Sequence, residues 1–246
     1  MDYEVRWLAK RGNRDEEYED AYAADATTGR FAVADGATES AFAATWAQSL
    51  VQHFAAGSGT GPDRCSAWLP PAQDQWQKEL QGREFPWYAE AKVVQGAFAT
   101  FLGVVVSPGG DGQFRWASTA VGDSCLFHTR GHALVRAFPI RQSKDFGNSP
   151  RLVGSRSPVD EVQQQRVECL EGAGRAGDRL WLMTDALSQW FLQEEEGGRK
   201  PVKELESLTG SGVAKDRFAI WINALRDARR LRNDDVTLLA IRLGTT

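Results

Sequence analysis

Apolar residues alternate with polar ones, or form short apolar runs, along many segments of the chain, and this pattern predicts β-strands. Near the N-terminus it predicts strands at 3–9, 20–25 and 31–35, and the turn-forming ATTGR between the last two predicts a hairpin over 20–35. Further runs of this kind are TFLGVVVS, QFRWASTAVG, SCLFHTR, HALVRAF, EVQQQRVECL, RLWLMTD and DVTLLAIRL. Glycine-rich turns separate several of them, as is typical of antiparallel strands.

A four-residue period predicts the helices. Phe42, Trp46, Leu50 and Phe54 recur at this spacing, so an amphipathic helix is expected after residue 40, with Thr38 or Ser40 as its N-cap. Other helices are predicted at 87–99, 186–196 and 214–230. A helix is expected only over 72–81 in the tryptophan-containing segment that includes Pro70 and Pro71, because proline disfavours helix interiors.

The order of these elements indicates sheets packed together with helices outside. Two pairs of helices alternate with groups of strands, and a helix with one apolar face packs that face against a sheet. The sequence has no internal repeat and no linker long enough to separate two domains. We therefore predict one α+β domain over residues 1–246.

Composition and charge exclude several classes of protein. Hydrophobic residues make up 42% of the chain and charged residues 25%, and the net charge is −4, so no broad basic surface for nucleic acid is expected. The basic run at 226–232 is interpreted as the end of a helix. Three widely spaced cysteines favour a reducing compartment, and no apolar run approaches a membrane span. The expectation is a soluble cytoplasmic protein without membrane or nucleic-acid partners.

Acidic residues recur at the ends of the predicted strands. These residues are Asp35, Asp123, Asp185, Asp234 and the pair Glu19-Asp20. Hard cations such as Mg²⁺ and Mn²⁺ prefer oxygen ligands, and carboxylates gathered in one cleft repel each other unless a cation neutralises them. Taken singly, each aspartate could also cap a turn or a helix, but their number favours a metal site.

Asp35 is the clearest candidate ligand. It ends the apolar run 31–34, and burying an unpaired carboxylate there costs several kcal/mol. A divalent ion would supply the missing partner, and Gly36 has no side chain to keep its backbone carbonyl from that ion.

The acidic segments, in this order, resemble the PPM-type metal-dependent serine/threonine phosphatases, also called protein phosphatase type 2C. The resemblance runs through YEDAYAAD, FAVADGATES, AVGDSCLF, LWLMTDALSQWF and RNDDVTLLAIRL, and so covers most of the chain. It implies a four-layer α-β-β-α sandwich, in which two antiparallel sheets pack face to face with helices outside. It also implies hydrolysis of phosphoserine and phosphothreonine in proteins by a metal-activated water.

The resemblance assigns roles to individual residues. Asp35 would bridge two Mn²⁺ or Mg²⁺ ions, and the Gly36 carbonyl would complete one of them. Asp185 and Asp234 would ligate the second ion, which makes Asp35, Asp185 and Asp234 the expected catalytic set. Glu19 and Asp20 would hold metal-bound water, and Asp123 would form a looser third site with Asp185.

The chain also departs from the family pattern. The glycines that follow D-G in the family are missing after Gly36, and Ala37 stands where some members have a histidine. The phosphate-binding arginine precedes the E-D pair in the family, which makes Arg14 and Arg11 the candidates here, although the expected spacing falls on Asp15 or Glu16.

Three functions remain open from the sequence. The first is a protein phosphatase with a phosphorylated protein as substrate and a cognate serine/threonine kinase as a further partner. The second is a phosphoprotein-binding or signalling module with the same fold and weak activity, which the missing arginine and glycines favour. The third is a phosphatase of small phosphorylated metabolites.

Overall fold

Two five-stranded antiparallel sheets form the centre of the protein. The computed structural model describes residues 1–38, 40, 42–57, 65–85, 87–147, 149–210 and 212–244. The strands are β1 (Asp2–Leu8), β2 (Asp20–Asp25), β3 (Arg30–Asp35), β4 (Phe98–Ala99), β5 (Phe101–Gly110), β6 (Gln113–Val121), β7 (Cys125–Arg130), β8 (Ala133–Phe138), β9 (Val153–Gly154), β10 (Glu168–Arg175), β11 (Arg179–Met183) and β12 (Val236–Arg242). The first sheet has the order β1-β12-β11-β7-β8 and the second β10-β6-β5-β3-β2, while β4 and β9 pair separately.

Helices cover the outer face of each sheet. They are α1 (Ala43–Ala55), α2 (Cys65–Leu80), α3 (Trp87–Gln95), α4 (Val159–Gln165), α5 (Asp185–Glu196), α6 (Pro201–Leu208) and α7 (Lys215–Asp227). Helices α1 and α2 pack on the second sheet, and α5, α6 and α7 pack on the first. The predicted four-layer α-β-β-α sandwich is therefore confirmed. Among the described residues, every helix is too short or too polar to cross a membrane.

The alternation of side chains along each strand builds the layers. In β3, Phe31 and Val33 face the gap between the two sheets, while Ala32 and Ala34 face α1. In β11 and β12 the same alternation directs one set of side chains into the gap and the other toward α5, α6 and α7. Because successive side chains of a strand point to opposite faces, this register also fixes which polar residues can meet between the sheets.

Packing overrides local preference in α2. This helix is longer than the predicted 72–81 and contains Pro70 and Pro71. Trp68, Leu69 and Trp76 are fully buried against the second sheet. Burial of each of these three side chains contributes about 1.5–3 kcal/mol, and their sum is comparable to the cost of the two prolines at roughly 3 kcal/mol each.

Other boundaries also differ from the predictions. Helix α1 begins at Ala43, with Phe42 and not Thr38 or Ser40 as its N-cap, and α7 ends at Asp227. The first half of EVQQQRVECL belongs to α4, because Val162 packs into the helical core and the acidic first turn suits a helix N-terminus. Helix α3 ends at Gln95, because Gly96 has a φ of 90° and a side chain there would meet Ser155. The short helix α6 has no counterpart among the predicted elements.

We predict that a substitution in the gap between the sheets strongly reduces the stability of the protein. Leu182 is fully buried there, so Leu182→Ala should reduce the free energy of unfolding by about 2–5 kcal/mol. Urea unfolding followed by circular dichroism measures this loss. Ile220, whose side chain is 68% exposed, is the control, and Ile220→Ala should cost much less. Equal losses in the two variants would contradict the packing described here.

Candidate functional site

Asp20 and Asp35 begin the site, at one end of the gap between the sheets. They are direct partners across the β2–β3 pair, so their side chains lie on the same face of the second sheet. Asp35 lies on the same face of β3 as Phe31 and Val33, so its carboxyl group lies at the end of the gap, beyond the apolar side chains.

Two threonines of the first sheet face Asp20 across the gap. Asp20 Oδ2 accepts hydrogen bonds from Thr184 Oγ1 at 2.9 Å and from Thr237 Oγ1 at 2.7 Å. Tyr18 donates its hydroxyl hydrogen to Thr237 Oγ1. Because Thr184 and Thr237 lie at the ends of β11 and β12, these bonds tie the two sheets together at the carboxylates and fix the position of Asp20.

The other acidic residues come from three connecting segments. Asp123 lies in the turn after β6, Asp185 is the first residue of α5, and Asp234 lies in the loop before β12. Arg232 in the same loop forms an ion pair with Asp185, and its Nε lies 3.4 Å from Asp234 Oδ2. One guanidinium group thus bridges two of the predicted metal ligands.

Burial and mutual repulsion raise the pKa of several of these carboxyl groups. The pKa of Asp35 rises to about 7, first through burial and then through the negative charges of Asp234 and Asp123, while Arg232 opposes the shift. Burial raises the pKa of Asp123 to about 6. The pKa of Asp20 is also well above its ordinary range, because of burial and the neighbouring Asp35. The site therefore gathers more negative charge than its protein surroundings neutralise.

The chemistry of these groups fits a hard divalent cation. All the candidate ligands are oxygen atoms, which Mg²⁺ and Mn²⁺ prefer. Asp123 is 4% exposed, and within the described chain its Oδ1 has no hydrogen-bond partner. Asp20 Oδ1 is likewise buried without an amide, hydroxyl or guanidinium donor among these residues. Buried polar atoms of this kind require a partner, and a cation would provide one.

The carboxyl groups do not yet form a compact metal cage. Among the described residues, no three His, Cys, Asp or Glu side chains converge closely enough to hold an ion as they stand. Asp185 and Asp234 are turned toward Arg232 instead. Metal uptake at this pair of carboxylates would therefore require the guanidinium group to move.

Backbone hydrogen bonds and close packing fix the position of Gly36, whose carbonyl is a predicted metal ligand. Its N–H donates to the Glu19 carbonyl at 3.2 Å, and Thr100 N–H donates to the Asp35 carbonyl at 2.8 Å. A Cβ atom at position 36 would lie 2.8 Å from the Glu19 carbonyl oxygen, so only glycine fits without displacement of the backbone. The chain at Asp35 and Gly36 is therefore fixed on both sides.

Glu19 lies at the exposed side of the site. Its Oε2 accepts a hydrogen bond from Thr38 Oγ1 at 2.5 Å and lies 3.7 Å from Lys10 Nζ. Lys10 Nζ also lies 3.4 Å from Thr38 Oγ1. A cationic side chain that sequence patterns did not indicate thus stands beside the predicted water-binding glutamate.

The neighbouring Asp234 and Asp235 have different surroundings. Asp235 is 5% exposed, and its two oxygens accept backbone hydrogen bonds from Lys10 and Glu19, each at 2.7 Å. It therefore ties the segment before β2 to the start of β12. The side chain of Asp234 is 42% exposed and, among the residues that the structure describes, accepts no such hydrogen bond from a distant segment, which leaves it the more accessible of the two.

Both arginines that were predicted to bind phosphate contact acidic side chains outside the site. Arg11 Nη1 lies 2.7 Å from Asp227 Oδ1 at the end of α7. The Arg14 side chain is 81% exposed, and its Nε lies 3.5 Å from Glu17. Their role in binding phosphate stays a prediction, because no contact within the described part of the chain joins either arginine to the carboxylates of the site.

Arg232, Thr184, Thr237 and Lys10 are the contacts that the sequence patterns missed. The run at 226–232 was interpreted as a helix end, but α7 ends at Asp227 and the last arginines lie in the loop to β12. The one available signal was the position of Arg232, two residues before Asp234. Thr184 and Thr237 lie in two of the segments that carry the family resemblance, but their contacts to Asp20 have no signal in the sequence, because Asp20 is 164 and 217 residues away in the chain.

Several solved structures share this arrangement of layers. The serine/threonine phosphatase PstP/Ppp of Mycobacterium tuberculosis superposes with a TM-score of 0.64 at 18% identity, over 99% of both chains. The catalytic domain of PstP in complex with two manganese ions gives 0.57 at 18% identity, over 97% of this chain and 96% of that chain. PppA of Pseudomonas aeruginosa, a regulatory component of its type VI secretion system (T6SS), gives 0.56 at 16% identity, over 99% and 97%. These likenesses show a shared fold.

A protein-family model identifies the family. Residues 10–231 match the model described as protein phosphatase 2C. The chain therefore belongs to the protein phosphatase 2C family. The match includes Asp20, Asp35, Asp123 and Asp185, and Asp234 lies three residues beyond its end. No curated protein is significantly similar to the chain in sequence.

The raised pKa values predict how stability depends on pH without metal. The pKa of Asp35 is about 7 in the folded protein and close to 4 in an unfolded chain, so the folded form binds more protons between these values. Stability should therefore fall as the pH rises from about 4 to about 7. Thermal unfolding in the presence of a chelator measures this dependence.

Asp35→Asn removes this titration. In chelator at pH 7.5 the variant should melt several degrees above the wild type, at about 2–4 °C per kcal/mol for a chain of this size, and its pH dependence should be shallower. Asp111→Asn, in the exposed turn between β5 and β6, is the matched control. An unchanged pH dependence in Asp35→Asn would contradict the assignment of the titration to Asp35.

Proposed function

We propose that this protein is a metal-dependent phosphatase that hydrolyses phosphoserine and phosphothreonine in proteins by means of a metal-activated water. Membership of the protein phosphatase 2C family supports the phosphatase activity. The observation that carries the proposal is the group of buried carboxyl groups at the end of the gap between the sheets, with the unpaired Oδ1 of Asp123 beside Asp35. This excess of buried negative charge suits divalent cations.

The residues that would hold the ions are those predicted from the sequence. Asp35 would bridge two ions, with the Gly36 carbonyl on one of them and with Asp185 and Asp234 on the other. Asp123 would form the third, looser site with Asp185. The ions would be Mn²⁺ or Mg²⁺, and the structural neighbour PstP was solved with two manganese ions. The chemistry that such ions supply when bound is activation of water and neutralisation of the phosphoryl oxygens.

The side chains around Asp20 orient that carboxyl group toward the site. Thr184 and Thr237 both donate to Oδ2, which leaves Oδ1 free to accept a hydrogen bond from water. Tyr18 holds the Thr237 hydroxyl in the orientation that donates to Asp20. Asp20 would thus position the attacking water, together with Glu19 at the exposed side.

One observation favours an alternative function. The Arg232 guanidinium group pairs with Asp185, which is a predicted metal ligand. The alternative is that the chain retains the fold as a phosphoprotein-binding or signalling module with little turnover. Calorimetric titration with Mn²⁺ and a parallel turnover assay separate the two functions. Metal uptake together with turnover supports the enzyme, and metal uptake without turnover supports the binding module.

Replacement of Asp35, the proposed bridging ligand, tests the proposed phosphatase activity directly. Asp35→Asn should reduce Mn²⁺-dependent hydrolysis of p-nitrophenyl phosphate roughly 100-fold or more, the upper end of the loss seen when a residue that only orients a metal ligand is removed. Steady-state kinetics measures the effect, and Asp111→Asn should keep the wild-type rate. Unchanged turnover in Asp35→Asn would exclude Asp35 from the catalytic site.

The class of substrate requires a second experiment. Lys10 and Glu19 at the edge of the site have side chains that are 22% and 21% exposed, so a phosphorylated segment of a protein could approach there from solvent. We expect kcat/KM for phosphothreonine and phosphoserine peptides to exceed that for sugar and nucleotide phosphates by about tenfold or more. The reverse order would identify a metabolite phosphatase. A cognate serine/threonine kinase would supply such a phosphorylated protein, and the three free cysteines support the proposal of a cytoplasmic location.

A further inference from the structure

Arg232 lies at the edge of the acidic site, in contact with two of its carboxylates. Its guanidinium group pairs with Asp185 and approaches Asp234, and its side chain is 35% exposed. Its positive charge also acts on Asp35 and Asp123, where it opposes the effect of burial on both carboxyl groups. Four carboxylates from four segments of the chain are thus influenced by this one cation.

The loop that carries Arg232 is anchored immediately after this residue. Arg226 Nη2 donates to the Asp234 carbonyl at 2.5 Å, and Nη1 donates to the Ala9 carbonyl at 3.2 Å. Asn233 exchanges two hydrogen bonds with the backbone of Arg11, at 2.8 and 3.1 Å. These contacts hold the two residues that follow Arg232, and so they limit how far the loop can move from the carboxylates.

A guanidinium group and a divalent ion cannot share the same carboxylate oxygens. Asp185 and Asp234 are the two residues assigned above to the second metal ion, and both are turned toward Arg232. Asp185 also begins α5, where the helix N-terminus favours a negatively charged side chain.

We propose that Arg232 is an internal cation that occupies the second metal position of the free protein and competes with the divalent ion for Asp185 and Asp234. The inference rests on the proposed metal-dependent function. It implies that the second ion binds only when the arginine side chain turns outward into solvent. The apparent affinity for that ion is then reduced by the fraction of molecules in which Arg232 is paired.

Replacement of Arg232 by an uncharged residue tests the competition. Calorimetric titration with Mn²⁺ alone, on the full chain, should show that Arg232→Gln binds the weaker ion about tenfold more tightly than the wild type, as expected if about one molecule in ten is unpaired. Arg229→Gln is the matched control, because it removes the same charge from an exposed position of the same loop. It should leave the Mn²⁺ affinity close to that of the wild type.

Thermal unfolding gives a second readout that does not depend on turnover. In chelator, Arg232→Gln should melt below the wild type, because the carboxylates lose their counter-charge, and saturating Mn²⁺ should raise its melting temperature by more than it raises that of the wild type. Equal or weaker Mn²⁺ binding by Arg232→Gln would overturn the competition and leave the metal-dependent function intact. A failure of both proteins to bind Mn²⁺ would overturn the proposed function as well.

Discussion

Burial of several carboxyl groups at one end of the gap between the sheets is the constraint on which the rest of the site depends. Asp20 and Asp123 are buried and Asp35 is partly buried, and loss of hydration raises the pKa of all three carboxyl groups. Such a group is stable only with protons, with a protein cation or with bound metal. The free protein uses the first two, through the raised pKa values and through Arg232. The proposed enzyme would use the third.

The fold brings these groups together through the regularity of its strands. Side chains alternate between the gap and the helical layers. Phe31, Leu182 and Leu239 lie inside the gap. On the same faces of their three strands, Asp35, Thr184 and Thr237 lie at the end of the gap. The same register that fills the core therefore aligns the polar residues of the two sheets. Stability and site geometry share one cause, since a shift of one residue in any of these strands would turn its polar residue toward a helix.

The sequence predicted the strands and the acidic residues because both depend on short stretches of neighbouring residues. An apolar run that ends in Asp is visible at Asp35 and Asp185 without knowledge of the fold. Helix α2 was underestimated because the cost of Pro70 and Pro71 is local, whereas the burial that offsets it comes from the sheet. Arg232 was interpreted as part of a helix end, because its partner Asp185 is distant in the chain. Contacts of this kind become visible only when the strands have been assembled.

The most direct test of the account is a crystal structure of the protein soaked in Mn²⁺, with anomalous data collected at the manganese edge. The account predicts two anomalous peaks bridged by Asp35, with Asp185 and Asp234 on one of them and the Arg232 side chain turned away from both carboxylates. A difference map without manganese peaks, in which Arg232 still pairs with Asp185 and the other carboxyl groups face water separately, would contradict it.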